Sequence, residues 1–440
     1  MDAHSQALNF FTEPGLNSAI TQTQFIDHLP ITQVTDSGFA EFMITSPDFI
    51  DLSRSYISVK CKVVCGDDSD IKKIVSEATF DKKGDIYPTN NLLHGLFDRV
   101  DFTLQDKTLT NDIPSHSYPF KAMIDTLMTA TSEEDMATLF VKDPSDAIDS
   151  CSVYKKLAAN PDNEKASSSL KTRYKMITES REFEMLGRLN IDFWKQKKYL
   201  LNNVNINLRL WRTQPEFALL SASTDVNHKI KLSSIKLVLC HVKLTPDVVL
   251  AINDSAKVKP ISYPYDRSII KNYSIASGLQ TVTLNDIFTG KCPDKIMIAM
   301  NTTKRYLGSL QFNQYMFDHF KLSEIGFYLD NTPLPGKALS LKFGDDAFDS
   351  SYIEAWERLR KHLPTNTILS YSDFFRGYSI FLIDLTNEEN GDLFPAPRQG
   401  QTRLELRFDK ALSESINILI YGSSKATFTL DHVRNATLDD

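Results

Sequence analysis

The chain has 440 residues and a mass of 49.9 kDa, which is too long for one ordinary domain and suits two of roughly 200 residues. Its net charge is −7 at pH 7, with no basic stripe or tail, which argues against a protein that wraps and neutralises nucleic acid. The sequence contains no apolar run of about 18 residues, so we expect no membrane-spanning helix, and residues 1–20 lack the pattern of a secretory signal.

The composition favours β structure in a soluble protein. Hydrophobic residues make up 42% and charged residues 24%, values that are ordinary for a globular protein. The 27 Phe and 16 Tyr suit half-buried strands. The cysteines are odd in number and scattered, which predicts reduced thiols in an intracellular compartment rather than a disulfide framework. They are Cys61, Cys65, Cys151, Cys240 and Cys292.

One stretch of sequence occurs twice. Leu92–Met128 and Phe320–Leu363 both read as a strand, a tight turn, a short extended piece and an amphipathic helix. Arg99–Thr110 aligns with Glu324–Pro335 at an offset of 225 residues, about half of the chain, with three identical residues. The shared order of elements predicts a duplicated β domain. Two unrelated strand-turn-helix units within one large domain remain the alternative.

Two periodicities support this interpretation. Val100, Phe102 and Leu104 alternate with polar residues, as in a strand buried on one face, and residues 325–329 do the same. Residues 120–128 and 352–363 then place apolar side chains at helical spacing, which predicts one helix in each half. We expect both helices to support the β-sandwiches.

The remaining pattern predicts many short strands with long end loops, typical of a sandwich or jelly roll occurring twice. VNINLRLWR and TRLELRFDK are alternating strands near the end of each half, and Phe374–Thr386 reads as a buried strand. The predicted division of the chain is an N-terminal arm (1–28), a first jelly roll (29–215), a linker (216–228), a second jelly roll (229–433) and a C-terminal tail (434–440).

Sequence signatures of catalysis are absent. The chain contains no phosphate-binding loop, no GxGxxG, no HExxH, no GxSxG and no EF-hand loop. We therefore predict no catalytic residues, no cofactor-binding residues, no metal ligands and no cofactor, and we expect the protein not to be an enzyme.

Three weaker signals have structural explanations that we favour. His94 and His116 lack partners at metal spacing, so a structural or exposed role is expected. The acidic run 133–135 could do acid–base work, but acids also suit the start of a helix. Lys197 and Lys198 stand near two aromatic residues, as in a nucleic-acid contact, but a solvated loop is favoured in an acidic chain.

Several segments carry a resemblance to a known family. They are NNLLHGLFDRVDFTL, SYPFKAMIDTLM, EMLGRLNIDFWKQKKYLLNNVNINLRLWR, DFFRGYSIFLIDLT and GQTRLELRFDKALSESINILIYG. In this order, over residues 11–435, the chain resembles the major capsid proteins of Polinton (Maverick) elements and adintovirus-like viruses, and their uncharacterised homologues in metazoan genomes. More remotely, it looks like the capsid proteins of large DNA viruses.

The resemblance implies an all-β fold with a few short helices in loops. It implies a double jelly-roll, that is, two eight-stranded antiparallel β-sandwiches side by side. It also implies a homotrimeric capsomer of pseudo-hexagonal outline that tiles an icosahedral virion shell and is made in the cytoplasm or nucleus of the host cell. Neighbouring capsomers and a penton protein would be the partners, without sequence-specific nucleic-acid binding.

Within such a capsomer, loops at 66–90, 130–170 and 336–350 would build the outer face and the contacts between subunits, and the N-terminal arm would lie on the inner side. The family carries over no catalytic residues. Two alternatives remain open: a single-jelly-roll minor capsid protein of the vertex, and a glycan-binding or hydrolytic β-sandwich protein.

Overall fold

A computed structural model describes residues 18–32, 38–71, 86–143, 168–221, 227–347, 349–386 and 396–439. Antiparallel strands dominate these ranges, and the strands fall into two groups separated by a long helix. The strands of the first group are β1 (Ile20–His28), β2 (Phe39–Thr45), β3 (Phe49–Cys65), β4 (Ile86–Pro88), β5 (Phe97–Leu104), β6 (Lys107–Thr108), β7 (Glu134–Asp135), β8 (Phe140–Val141), β9 (Phe183–Gly187), β10 (Asn205–Arg212), β11 (Leu219–Ser221) and β12 (His228–Leu244).

The second group is built in the same manner. Its strands are β13 (Ile261–Ile275), β14 (Thr281–Asn285), β15 (Lys291–Cys292), β16 (Lys295–Thr302), β17 (Leu322–Leu329), β18 (Thr332–Ser340), β19 (Ile380–Asp384), β20 (Arg398–Gln399), β21 (Thr402–Phe408), β22 (Ile416–Leu430) and β23 (Ala436–Asp439). The helices are α1 (Leu92–Gly95), α2 (Tyr118–Thr129), α3 (Ser168–Ile177), α4 (Pro215–Ala218), α5 (Pro246–Val258), α6 (Thr303–Leu307), α7 (Ile353–Arg360) and α8 (Tyr371–Arg376), with 3-10 turns at Thr178–Ser180 and Asp192–Lys195.

Each group forms one jelly roll with the same strand order. The main sheets of the first roll are β1-β12-β3-β9 and β2-β10-β5-β6, and those of the second are β13-β22-β16-β19 and β14-β21-β17-β18. Counting the eight main strands of a roll along the chain, one sheet has the order 1-8-3-6 and the other 2-7-4-5, in both rolls. The double jelly-roll expected from the sequence is confirmed.

The repeated hairpin occupies the same place in both rolls. Thr103 pairs with Thr108 in the first roll, and Tyr328 pairs with Pro333 in the second, which reproduces the offset of 225 residues. The turns use left-handed backbone at Gln105 (φ 55°) and at Asp330 (φ 49°) and Asn331. The hairpin joins the fourth and fifth strands of each roll, so the duplication inferred from the sequence is structural.

The two predicted helices are present and topologically equivalent. Helix α2 lies between the fifth and sixth strands of the first roll, and α7 and α8 lie in the corresponding connection of the second. In α2, Phe120, Met123, Ile124 and Leu127 are buried, and in α7 Trp356 and Leu359 are. Both helices therefore pack against the sandwiches, and the apolar core continues through both rolls.

The predicted division of the chain needs correction at three places. Residues 20–28, expected in an N-terminal arm, form β1 and pair with β12, while residues 1–17 lie outside the described part of the chain. Strand β12, expected at the start of the second roll, lies between β1 and β3 as the eighth strand of the first roll. The connection between the rolls is thus residues 245–260, which contain α5. The predicted linker 216–228 instead lies between the seventh and eighth strands, where it includes part of α4 and the short strand β11.

The third correction concerns the predicted tail (434–440), because residues 436–439 form β23 and pair with β22. Two local predictions also differ. Phe374–Thr386 begins in helix α8, which Ser370 and Asp373 start with a reciprocal capping box, and only Ile380–Asp384 is a strand. Glu134 and Asp135 pair with β8 as a short strand instead of opening a helix.

Four of the five cysteines are free thiols: Cys61, Cys65, Cys240 and Cys292. Cys151 lies outside the described residues, as do large parts of the two predicted loops, namely 72–85 and 144–167. Within the described helices, none is long and apolar enough to cross a membrane.

Candidate functional site

The two rolls meet around a buried lysine, Lys121 of α2. Its side chain is fully buried, and its Nζ donates to Asp125 Oδ2 at 3.0 Å, to Asp192 Oδ1 at 2.8 Å and to Asn190 Oδ1 at 3.1 Å. A buried ammonium is tolerated only when its donors find charged or polar acceptors. The helix supplies Asp125 one turn away, and the connection between β9 and β10 supplies the other two acceptors.

The second roll completes this cluster. Tyr421 of β22 donates its hydroxyl to Asp125 Oδ1 at 3.1 Å, and the Ser268 hydroxyl of β13 lies 2.7 Å from the Tyr421 oxygen. The Ser268 backbone N–H donates to Asp192 Oδ2 at 3.0 Å. Each carboxylate therefore binds Lys121 with one oxygen and the second roll with the other. We call Lys121, Asp125, Asp192, Ser268 and Tyr421 the inter-roll junction.

The electrostatics of the inter-roll junction favour the fully ionised pair. Burial alone would raise the pKa of Asp125, but Lys121 and Lys195 outweigh it and hold that pKa well below its usual range. Burial would likewise lower the pKa of Lys121, yet the charges of Asp125 and Asp192 raise it well above its ordinary value. Burial and the neighbouring Asp125 carboxylate raise the pKa of Tyr421, so its proton stays available for the hydrogen bond. Each buried charge thus has an opposite charge next to it, which keeps both groups ionised.

Aromatic packing flanks the inter-roll junction. Phe193 of the first roll meets Tyr265 and Phe428 of the second edge-on, each with ring centroids 5.4 Å apart. Near the N-terminal turn of α2, Phe120 stacks on Tyr306 of the second roll at 5.2 Å. These ring contacts add apolar packing between the rolls next to the polar cluster.

A second set of polar contacts joins the connection between strands five and six of the first roll to two connections of the second. Lys142 forms a 2.8 Å ion pair with Asp373, the residue that also caps α8. Asp143 pairs with Arg173 at 3.0 Å within the first roll and accepts from the side-chain amide of Asn313 in the second. The rolls are thus held at two separate places, which restrains rotation of one against the other.

One cleft of about 600 Å³ opens beside the inter-roll junction in the first roll. Its wall includes His94, Asp125, Glu134, Trp194 and Lys195. Trp194 is 2% exposed, so it offers no open aromatic platform on which a sugar ring could stack. Asp125 is committed to Lys121, Lys195 and Tyr421, which leaves it poorly placed to exchange protons with a substrate.

The residues weighed in the sequence analysis have structural partners. His94 is buried, and its Nδ1 lies 3.0 Å from the Tyr118 hydroxyl, while His116 forms a 2.5 Å pair with Asp98 at the surface. Lys198 donates to the Ser262 carbonyl of the second roll at 2.6 Å. In the described ranges, no group of three or more His, Cys, Asp or Glu side chains could hold a metal ion.

Sequence reasoning missed the inter-roll junction entirely. Lys121 and Asp125 stand at helical i, i+4 spacing, a common surface pattern. Only the polar positions on the otherwise apolar face of α2 could have drawn attention to them. Tyr421 lies 296 residues from Asp125, so no local signal links the two.

No protein-family profile matches the chain. It is 23% identical over 264 residues to the uncharacterised protein F54H12.2 of Caenorhabditis elegans; the match spans 58% of this chain and 63% of that protein, less than two thirds of its length.

Solved structures match over nearly the whole chain. A chain of the Sputnik virophage structure matches with a TM-score of 0.64 at 8% identity, covering 98% of this chain and 91% of that one. The PBCV-1 virus capsid matches with a TM-score of 0.58 at 11% identity, covering 98% and 99%. The mavirus major capsid protein matches with a TM-score of 0.53 at 10% identity, covering 99% and 93%. At these identities the similarity establishes the fold, a double jelly-roll.

Proposed function

We propose that the protein is a major capsid protein that assembles as a homotrimer of pseudo-hexagonal outline and tiles an icosahedral virion shell. The observation that carries this proposal is the pair of rolls of identical strand order, locked together by the inter-roll junction within a single chain. Two similar rolls held rigidly in each of three chains would supply six similar positions around one axis. A subunit that must fit a regular lattice needs this fixed geometry.

The resemblance found in the sequence supports a relationship to the Polinton (Maverick) lineage, and the structural similarity to virophage and PBCV-1 capsid chains supports the same role. The net charge of −7 suits a shell that encloses a genome without binding it tightly. We propose neighbouring capsomers and a penton protein as partners, the virion as the site of action, and no enzymatic activity.

Of the alternatives, a single-roll vertex protein does not fit a chain that contains two complete rolls. A glycan-binding sandwich would need an accessible aromatic or polar platform, and the aromatic residues of the cleft, Phe140 and Trp194, are buried.

The first test is the mass and shape of the purified protein. Size-exclusion chromatography with light scattering should give three times the 49.9 kDa of one chain at micromolar concentration. Negative-stain electron microscopy should show hexagonal particles or closed shells. A protein that stays monomeric at all accessible concentrations and forms no particles would contradict the proposal.

A further inference from the structure

Two histidine side chains of the first roll meet between its first and last strands. His28 is the last residue of β1, and His241 lies in β12, the strand with which β1 pairs. Their Nε2 atoms are 3.2 Å apart, whereas their ring centroids are 5.5 Å apart, so the two nitrogens lie between the rings and face each other. Because a neutral imidazole has one donor and one acceptor nitrogen, one Nε2 donates to the other. This hydrogen bond joins the end of β1 to β12.

The connection between β2 and β3 holds the ring of His241 in place. Its Nδ1 lies 3.0 Å from the Ser46 hydroxyl oxygen, which also accepts from the Asp48 backbone N–H at 3.0 Å. The Asp48 carboxylate lies 3.8 Å from the same nitrogen. His241 is 3% exposed, so its ring is enclosed by protein and would lose its contact with Ser46 if it turned away from His28.

Charges of both signs surround the histidine pair. Asp27 of β1 forms a 3.0 Å ion pair with Lys236 of β12, while Asp48 and Lys243 act on the buried histidine in opposite directions. In β3, Asp51 pairs with the residue that precedes the buried histidine, so its carboxylate lies on the other face of the sheet. Asp27 is thus already neutralised, and Asp48 can neutralise one ring at most.

The pair changes character when it takes up protons. Burial lowers the pKa of both histidines, and the neighbouring His241 lowers the pKa of His28 further. Both rings are therefore neutral near pH 7. In acid, a first proton can be shared in the hydrogen bond between the two Nε2 atoms. A second proton removes the acceptor and places two positive charges at atoms 3.2 Å apart, so the contact becomes repulsive.

We propose that the His28–His241 pair makes the attachment of β1 sensitive to acid. The pair holds the end of β1 against β12 at neutral pH, and double protonation releases it. Strand β1 lies at the end of its sheet, so its release leaves the pairing of β12 with β3 intact. Such a local opening needs less free energy than unfolding of the whole roll. The pair lies within one chain and acts whether or not the chains assemble.

Hydrogen exchange of the full chain between pH 7.5 and pH 5, read by mass spectrometry and corrected for the intrinsic effect of pH, measures the attachment of β1. Since an unfolded histidine titrates near pH 6.5, the contribution of the pair is complete above that pH and declines below it. Protection of residues 20–28 should fall at least about tenfold, the factor that corresponds to a pKa difference of one unit. Protection of β13, the first strand of the second roll, should change less.

The variant His28→Gln should remove the acid response and keep the contact. A glutamine amide can donate to Nε2 of a neutral His241 and can accept from the same nitrogen once it is protonated. Only one ring then becomes charged, so the protection of β1 should fall much less than in the wild type. His116→Gln, at a surface histidine paired with Asp98, is the matched control and should respond like the wild type. Circular dichroism at pH 7.5 should show the same folded spectrum in all three proteins.

The expected result is a larger acid-induced fall of β1 protection in the wild type and in the control than in His28→Gln. Unchanged protection of β1 in acid, or an equal fall in the wild type and in His28→Gln, would overturn the proposed role of the pair. An equal fall in all strands would overturn it as well, because that is global acid unfolding. None of these results decides the capsid role, which depends on the mass and shape of the assembled protein.

Discussion

The Tyr421 hydroxyl of the second roll lies 3.1 Å from Asp125 Oδ1 of the first. The other oxygen of Asp125 accepts from Lys121, 3.0 Å away, so a single carboxylate ties a helix of one roll to a strand of the other. A few buried groups thus join the two rolls directly, and each can be removed separately.

Removing the Tyr421 hydroxyl should weaken the inter-roll junction. Tyr421→Phe keeps the ring but leaves Asp125 without its contact to the second roll, and a hydrogen bond to a charged group contributes roughly 1.5–3 kcal/mol. Urea unfolding followed by fluorescence should show a loss of this size. Tyr273→Phe, in the half-buried part of β13, provides the matched control and should cost less. Equal losses in the two variants would argue against a special role for Tyr421.

Removing the charge of Lys121 should lower the free energy of unfolding more than removing the Tyr421 hydroxyl does. Lys121→Met leaves Asp125 and Asp192 buried with one shared partner, Lys195, and breaking a buried ion pair typically costs ~3–5 kcal/mol. Lys257→Met, which breaks an exposed pair with Asp254, should cost at most about 1 kcal/mol.

A double-mutant cycle then measures the coupling within the inter-roll junction. Asp192→Asn in the Lys121→Met background should cost less than it costs in the wild type, because the cation that this carboxylate pairs with is already gone. Strictly additive losses would mean that the two groups do not interact in solution.

Acid should destabilise the fold partly through His94. Burial, and then the nearby charge of Lys121, lower the pKa of His94 to about 4, whereas an unfolded histidine titrates near 6.5. The unfolded state therefore binds the proton first, so this contribution to stability is complete above pH 6.5 and declines as the pH falls to 4. The shift in the pKa of His94 therefore lowers the free energy of unfolding by about 3 kcal/mol between pH 6.5 and pH 4.

The check is a series of urea titrations between pH 7.5 and 4. His94→Gln cannot titrate, so its free energy of unfolding should fall less steeply with decreasing pH than that of the wild type. Histidines with a lowered pKa elsewhere, such as His319, contribute equally to both proteins and cancel in the comparison. Parallel curves would contradict the expected titration of His94.

Helix α7 should depend on Trp356. This side chain is 7% exposed and packs edge-on against Tyr371 and Phe374, with ring centroids 6.4 and 6.2 Å away. Trp356→Ala should therefore lower stability by ~3–5 kcal/mol. Ile353→Ala, one turn earlier at a 63% exposed position, should change it by at most about 0.5 kcal/mol, and a similar loss in both would mean that burial does not explain the effect.

Local patterns in the sequence were sufficient to identify the repeated unit. Alternation in residues 100–104 and 325–329 and helical spacing in 120–128 and 352–363 describe contacts within a few residues, and the offset of 225 between the copies emerges in the pairing of both hairpins. The helical start of α8 was also readable, since Ser370 and Asp373 form a capping box, but the apolar residues that follow favoured a strand.

Only the tertiary structure shows to which roll strand β12 belongs. The sequence of β12 predicts a long strand, yet nothing local says whether it closes the first roll or opens the second. Its place follows from backbone pairing of His228–Leu244 with β1 and β3. The residues that pair with the start of β12 are more than 160 positions away in the sequence, and those that pair with its end are more than 190 positions away.

The sequence by itself determined the two copies of the strand-turn-helix unit and the lack of known catalytic motifs, because each of these depends on residues near one another in the chain. The tertiary structure decided how the rolls are joined. Lys121 and Tyr421 acquire their roles only when a helix and a strand 300 residues apart are buried together, since a charge needs partners only once water has been excluded from it.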